Sequence, residues 1–142
     1  MITNADITLY NRVFDKDKDK YTYKRTYLRG VNWQDLKGVK ITESGVVSDD
    51  CTRVFIPLAV DADGKQYKKP KTYKRTEDKS LIYTLDNADI VVKGVIDFEL
   101  TGDSGANVSK LQALYDDVMV ITKVIDNRYG SPKIQHFELE VK

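Results

Sequence analysis

The sequence predicts a mainly β protein, a β-barrel or sandwich of about 7–9 strands with one short helix and one long loop. Nine tyrosines and many valine, isoleucine and threonine residues favour strands. Apolar and polar side chains alternate along several segments, and turns rich in glycine or aspartate separate them. The chain has 142 residues and no visible linker, so it suits a single β-rich domain over residues 1–142.

The first two strands are predicted over residues 7–14 and 21–33, joined by an exposed tip in which aspartate and lysine alternate. Gly30 marks a bulge or bend in the second strand. If that strand is regular, its tyrosines and arginines share one face with Val31 and Trp33. Both of its faces mix polar and apolar side chains, so we expect it to meet solvent or a partner. The candidate interface strand consists of Tyr21, Tyr23, Arg25, Tyr27 and Arg29.

The middle of the chain predicts less regular structure. A broken strand is expected over residues 38–47, and a further strand over 51–60 is closed, or placed at a sheet edge, by Pro57. A turn follows, and the next residues are polar and densely charged. The sequence therefore predicts a long loop near 61–79, and loops of this length are usually functional or disordered.

The second half predicts further strands and the only helix. The helix is expected near 107–116, because apolar residues recur there at spacings of three and four; a capping box from Ser109 to Gln112, or Asn107, begins it. In the segment 95–101, Ile96, Phe98 and Leu100 face inward while Asp97 and Glu99 face water. Strands are predicted over residues 80–84, 89–94, 95–101, 118–125 and 134–141. We expect the core in residues 7–14, 91–100 and 118–141.

Residues that carry chemistry are few. Cys51 is the only cysteine and His136 the only histidine, which excludes an internal disulfide and makes a zinc site implausible. Residues 15–19 match the start of a calcium loop, but Lys20 replaces the required glycine and Thr26 the required glutamate. A phosphate-binding glycine motif and a convergent acid–base pair are also missing. We therefore expect no catalytic residue, no cofactor, no metal and no enzymatic activity.

The charges balance overall, with 23 lysines and arginines against 22 acids, which argues against a dedicated nucleic-acid-binding protein. One stretch departs from this balance. Residues 65–75 contain six cations and no acid, with Tyr67 and Tyr73 between them, so they can contact phosphates and stack on bases. The alternative is a solvated loop. The candidate DNA- or partner-contacting residues are Lys65, Lys68, Lys69, Lys71, Lys74 and Arg75.

Five stretches carry a resemblance to known proteins. They are ITNADITLYN (2–11), LRGVNW (28–33), LYDD (114–117), DNRYGSP (126–132) and HFEL (136–139). These stretches are similar to parts of small structural proteins of tailed phages and prophages of Gram-positive bacteria. The general layout resembles that of head-completion proteins, also called stopper or head–tail joining proteins, which are small β-barrels with a long loop.

The resemblance implies a virion structural protein of the neck that assembles as a ring between portal or adaptor and tail. The implied partners are the portal, the adaptor, the tail terminator and further copies in a homo-oligomeric ring. The basic stretch would contact packaged DNA non-specifically or meet a neighbouring ring. The implied location is the virion neck, after synthesis in the host bacterial cytoplasm. Neither a signal peptide nor an apolar run of roughly 20 residues is visible, so we expect no membrane partner.

Two alternatives remain open. In the first, the chain is a tail terminator or minor capsid protein of the same phage. In the second it is a non-specific nucleic-acid-binding β-barrel of the oligonucleotide-binding type, in which Tyr21, Tyr23, Tyr27 and Trp33 form a stacking platform.

Overall fold

The computed structural model describes residues 2–36, 39–48 and 51–142. Within these residues it contains ten strands and two helices. Their order is β1 (Ala5–Asp15), β2 (Lys20–Leu36), β3 (Val39–Thr42), β4 (Gly45–Ser48), β5 (Cys51–Pro57), β6 (Gln66–Tyr67), α1 (Pro70–Arg75), β7 (Ile82–Tyr83), β8 (Ile90–Lys93), α2 (Val108–Leu114), β9 (Val118–Asn127) and β10 (His136–Val141). The mainly β fold class predicted from the sequence is confirmed.

Six antiparallel strands close into a barrel in the order β1-β2-β5-β10-β9-β8. β5 ends at Pro57, as predicted, and it pairs on both sides, with β2 and with β10. The barrel interior contains the inward-facing apolar residues of these strands together with residues from the connection between β5 and β8. Its buried members include Ile7, Leu9, Leu28, Val31, Trp33, Val54, Ile56, Tyr83, Leu85, Val91, Ile121, Phe137, Leu139 and Val141.

A bulge at Gly30 changes which face of β2 is buried. The register of β1 against β2 skips Gly30, whose φ is +89° and whose amide donates to Asp6 Oδ1 at 2.9 Å. Leu28 faces the interior before the bulge, and Val31 and Trp33 face it afterwards. The extra residue shifts the alternation by one position. The prediction that Val31 and Trp33 share the tyrosine-rich face is therefore wrong, whereas the predicted bulge is confirmed.

An extended segment, residues 95–101, covers the outer face of β1 and β2. Its side chains alternate as predicted, but it is not a strand, because its main chain is bonded by side chains instead of a neighbouring strand. The hydroxyl of Tyr27 donates to the carbonyl of Ile96 at 2.7 Å, and that of Tyr10 donates to the carbonyl of Phe98 at 2.8 Å. The predicted strand at 95–101 is thus corrected to an irregular strap over the barrel.

The helix α2 completes this outer layer, where Leu111 packs in a second apolar cluster with Tyr10 and Leu100. The helix predicted near 107–116 is confirmed. Asn107 caps it, since its Oδ1 accepts from the amide of Lys110 at 2.9 Å. Of the two caps that the sequence offered, the structure selects the asparagine.

Replacing Asn107 with alanine should lower the free energy of unfolding by about 1 kcal/mol, because an amide at the start of α2 loses its acceptor. Urea unfolding followed by circular dichroism measures the change. Asn107→Asp should retain wild-type stability, since aspartate also accepts at this position. Equal losses in both variants would contradict a capping role.

The connection from β5 to β8 is long, as predicted, but it carries secondary structure. The helix α1 begins at Pro70, and β6 pairs in parallel with β7. Proline favours the first helical position because the amide that it lacks has no partner there. The predicted loop is therefore corrected at residues 70–75, where the proline begins a helix. The buried side chain of Tyr73 anchors α1.

A buried polar network joins this connection to β1. The carboxylate of Asp89 accepts from the amide of Arg12 at 2.9 Å, from Asn11 Nδ2 at 2.9 Å and from the amide of Asp86 at 3.2 Å. Asn11 also binds both backbone groups of Thr84, at 2.6 and 3.2 Å. Burial raises the pKa of Asp89 to about 6. The network fixes residues 84–89 at one end of the barrel.

Candidate functional site

The six predicted contact cations divide into an exposed group and an anchored one. Lys69, Lys71, Lys74 and Arg75 are exposed on and beside α1, and Lys68 is half-buried. Lys65 differs, because its ammonium donates to the carbonyl of Arg25 at 2.8 Å and to Thr26 Oγ1 at 3.0 Å. Burial lowers the pKa of Lys65. We therefore correct the assignment of Lys65: it ties the basic stretch to β2 rather than presenting a charge to a partner.

The candidate interface strand lies on one outer face of β2, but the chain's own residues meet most of that face. The guanidinium groups of Arg25 and Arg29 each lie 5.3 Å from the ring centre of Tyr27. Arg25 pairs with Glu99 at 2.9 Å, and Arg29 pairs with Asp63. These cations are thus paired within the chain, and the strap supplies one of their acids.

The remaining tyrosines of this face are also partly occupied. Tyr23 packs against the outer apolar cluster, whereas Tyr21 is exposed and lies edge-on to Phe14, with ring centres 5.2 Å apart. Trp33 is 5% exposed and lies in the barrel core. The stacking platform proposed for an oligonucleotide-binding barrel is therefore not formed, because the bulge turns Trp33 to the opposite face.

Exposed aliphatic side chains lie on the hairpin of β3 and β4, which forms a two-stranded sheet of its own between β2 and β5. Ile41 and Val46 are cross-strand partners, so they share one face, and they are 86% and 68% exposed. We call them the hairpin surface. The sequence indicated a broken strand here, in a stretch that includes residues outside the described part of the chain. The exposure of the aliphatic pair follows only from the sheet pairing.

A second exposed apolar surface, the Tyr129 patch, consists of Leu58 and Tyr129, with Ile134 exposed in the same connection before β10. Tyr129 is 77% exposed. The amide of Leu58 donates to the carbonyl of Gln135 at 3.1 Å, which joins the end of β5 to the turn before β10. Leu58, Tyr129 and Gln135 line a shallow depression. The sequence predicts a turn in this region, but no pattern in it indicates that Tyr129 lies beside Leu58.

The two surfaces lie at opposite ends of β5. The hairpin comes before Cys51, and Leu58 follows Pro57. A strand of seven residues spans about 20 Å, so the surfaces are well separated on the barrel. They also differ in character, since one is an aliphatic pair on a protruding hairpin and the other includes an aromatic ring. The barrel therefore presents two unlike apolar surfaces, one at each end of β5.

The residues considered for metal or nucleophilic chemistry have structural contacts. Asp15 Oδ1 accepts from the amides of Asp17 at 3.0 Å and Lys18 at 3.3 Å, which closes the hairpin tip. Cys51 begins β5, whereas His136 pairs with Pro57 at the other end of that strand, so they do not form a nucleophile–base pair. Among the described residues, no three metal-binding side chains lie close enough together to hold an ion.

The helices in the described part of the chain are not long and apolar enough to cross a membrane.

These observations define a small antiparallel β-barrel protein with an outer strap and helix and with exposed apolar side chains at two ends. The chain belongs to the family described as "Family of unknown function (DUF6751)", whose family model matches residues 2–142. No curated protein and no solved structure matches the chain.

Proposed function

We propose that the chain is a structural protein of a phage neck, a head-completion component that forms a ring between portal or adaptor and tail. The observation that carries the proposal is the pair of unlike apolar surfaces at the two ends of β5. A ring of identical chains needs such a pair, because each head-to-tail contact joins two different surfaces. The resemblance of residues 2–11 and 126–139 to phage structural proteins supports the virion as its location.

In the proposed contact, the hairpin surface of one copy packs on the Tyr129 patch of the next. Ile41 and Val46 project from a narrow hairpin, and Tyr129 offers a flat aromatic face beside a shallow depression. Exposed apolar side chains of this kind mark interaction surfaces when they gather on one face. A tail terminator or minor capsid protein would use the same contact. The exposed cations of α1 then face packaged DNA or the neighbouring ring.

The self-assembly in this proposal is tested with two variants that each remove one side of the contact. Wild-type chain should form closed oligomers in gel filtration with light scattering, whereas Ile41→Lys and Tyr129→Lys should each be monomeric, because a lysine ammonium is costly to bury without a partner. An equimolar mixture of the two variants should give a heterodimer, since one intact contact remains.

Leu81→Lys is the matched control, because Leu81 is likewise an exposed apolar residue, at 68% exposure, and belongs to neither surface. It should assemble like wild type. A wild-type chain that stays monomeric up to millimolar concentration would reject self-assembly through these surfaces. The neck assignment is tested separately by mass spectrometry of purified virions from a lysogen that encodes the chain. Absence of the chain from intact virions would reject it.

A further inference from the structure

A cleft of about 340 Å³ lies between β1, α1 and the turn that precedes β8. β8 pairs with β1 only from Ile7 to Tyr10, so on that side the later part of β1 borders the cleft instead of another strand. Arg12 and Phe14 line it from β1, Tyr73 and Lys74 from α1, and Asp89 from the turn. This volume falls in the range of about 300–1,000 Å³ that is typical of small-molecule sites.

Tyr73 is the unusual residue of this cleft. Its side chain is 2% exposed, and its hydroxyl has no hydrogen-bond partner. Buried polar groups are nearly always paired, so an unpaired buried hydroxyl in a residue that lines a cleft points to a missing partner. Burial, with a smaller contribution from the charge of Asp89, raises the pKa of Tyr73. The hydroxyl therefore stays protonated at neutral pH and can donate a hydrogen bond to an acceptor.

The charges around the cleft favour an anionic acceptor. Four cations line it against two acids: Arg12, Lys16, Lys74 and Lys79 against Asp86 and Asp89. Lys74 lies 4.0 Å from Asp86, whereas Arg12, Lys16 and Lys79 have no ion pair among the described residues. The amides of Arg12 and Asp86 and the side chain of Asn11 already occupy the oxygens of Asp89.

The cleft also has an aromatic wall. The guanidinium carbon of Arg12 lies 4.2 Å from the ring centre of Tyr21, and Phe14 meets the same ring edge-on. On the other side, the ammonium of Lys79 lies 5.3 Å from the ring centre of Tyr73. Cations and a hydroxyl donor beside aromatic rings suit a ligand that carries both a phosphate and a flat aromatic base.

We propose that this cleft binds a phosphate group of nucleotide chemistry, either in a free nucleotide or in a single strand. The hydroxyl of Tyr73 donates to a phosphate oxygen, the cations neutralise its charge, and the aromatic wall contacts the base. The site is separate from the proposed ring contact, because none of its residues belongs to the hairpin surface or to the Tyr129 patch.

The test measures binding of four probes by isothermal titration calorimetry at low salt: inorganic phosphate, thymidine, thymidine monophosphate and an oligothymidylate. We expect the monophosphate to bind and thymidine to bind at least tenfold more weakly. Tyr73→Phe should weaken binding of the monophosphate about tenfold or more, because the loss of one hydrogen bond to a charged group has an effect of this order. Unfolding without ligand should be unchanged or occur at a higher temperature in this variant, since the lost hydroxyl has no partner.

Tyr67→Phe is the matched control, because Tyr67 lies outside the cleft and should leave binding unchanged. Lys79→Gln should weaken binding, and Lys123→Gln on the exposed face of β9 should not. Tighter binding of the oligothymidylate than of the monophosphate identifies a strand as the source of the phosphate. Equal or weaker binding identifies a free nucleotide. Equal affinities of wild type and Tyr73→Phe, binding of thymidine as tight as that of its monophosphate, or no binding of any phosphate probe would overturn the proposal.

Discussion

Replacing Asn11 with alanine is expected to lower the free energy of unfolding by about 3–5 kcal/mol, a loss typical of a broken buried network. Asn11 is 1% exposed and bonds to Asp89 and to both backbone groups of Thr84. The truncation leaves the carboxylate of Asp89 with one donor fewer and both backbone groups of Thr84 without a partner. An unpaired buried polar group is costly because it keeps none of the hydrogen bonds that it made to water in the unfolded chain.

Urea unfolding, followed by fluorescence of the buried Trp33, measures this loss. Asn87→Ala is the matched control, since Asn87 is exposed in the same turn and its side chain lies outside the network. The control should change the free energy of unfolding by less than about 0.5 kcal/mol. A loss of less than about 1 kcal/mol in Asn11→Ala would contradict the role of the network in fixing residues 84–89.

The second large effect is a pH dependence of stability caused by Asp89. Burial raises the pKa of Asp89 from 3.8 to about 6 in the folded chain. Between these pH values the folded state binds a proton that the unfolded state has released. The free energy of unfolding from this group therefore decreases as the pH rises through this range, by about 3 kcal/mol in total between about pH 2 and pH 8.

This contribution is isolated by comparing wild type with Asp89→Asn at pH 4 and at pH 7. Asparagine does not titrate, so the stability of wild type relative to the variant should fall by about 2.4 kcal/mol between the two pH values. Asp17→Asn, at the exposed hairpin tip, should give the same pH profile as wild type. A constant difference between wild type and Asp89→Asn would show that Asp89 keeps its charge throughout this range.

The elements that the sequence predicts best are those whose burial repeats in a regular pattern. α2 and β10 are predictable because apolar residues recur along one face of each. Residues 95–101 show the limit of this argument. Their alternation reports which side chains are buried, but it cannot report that the main chain is bonded by the hydroxyls of Tyr10 and Tyr27. Those residues are remote in sequence, so no local pattern contains the information.

The candidate site shows a similar limit. Lys65 and Lys74 belong to the same basic run, yet one is held by the main chain of β2 and the other is exposed. Nothing in the run distinguishes them, because the difference depends on the distance of each from β2. Likewise, Tyr73 is in sequence one of two tyrosines that lie between the cations of this run. Only the packing of α1 shows that its hydroxyl is buried without a partner.

The pairing of Leu36 with Cys51 separates the stability of the barrel from the sequence of the β3–β4 hairpin. These residues are cross-strand partners in the barrel, so the chain leaves the barrel and returns to it at neighbouring positions. The β3–β4 hairpin between them adds no strand to the barrel. Its length and composition can therefore change during evolution with little effect on the stability of the fold. Natural selection can vary the exposed surface of the hairpin while the barrel sequence stays under a separate constraint.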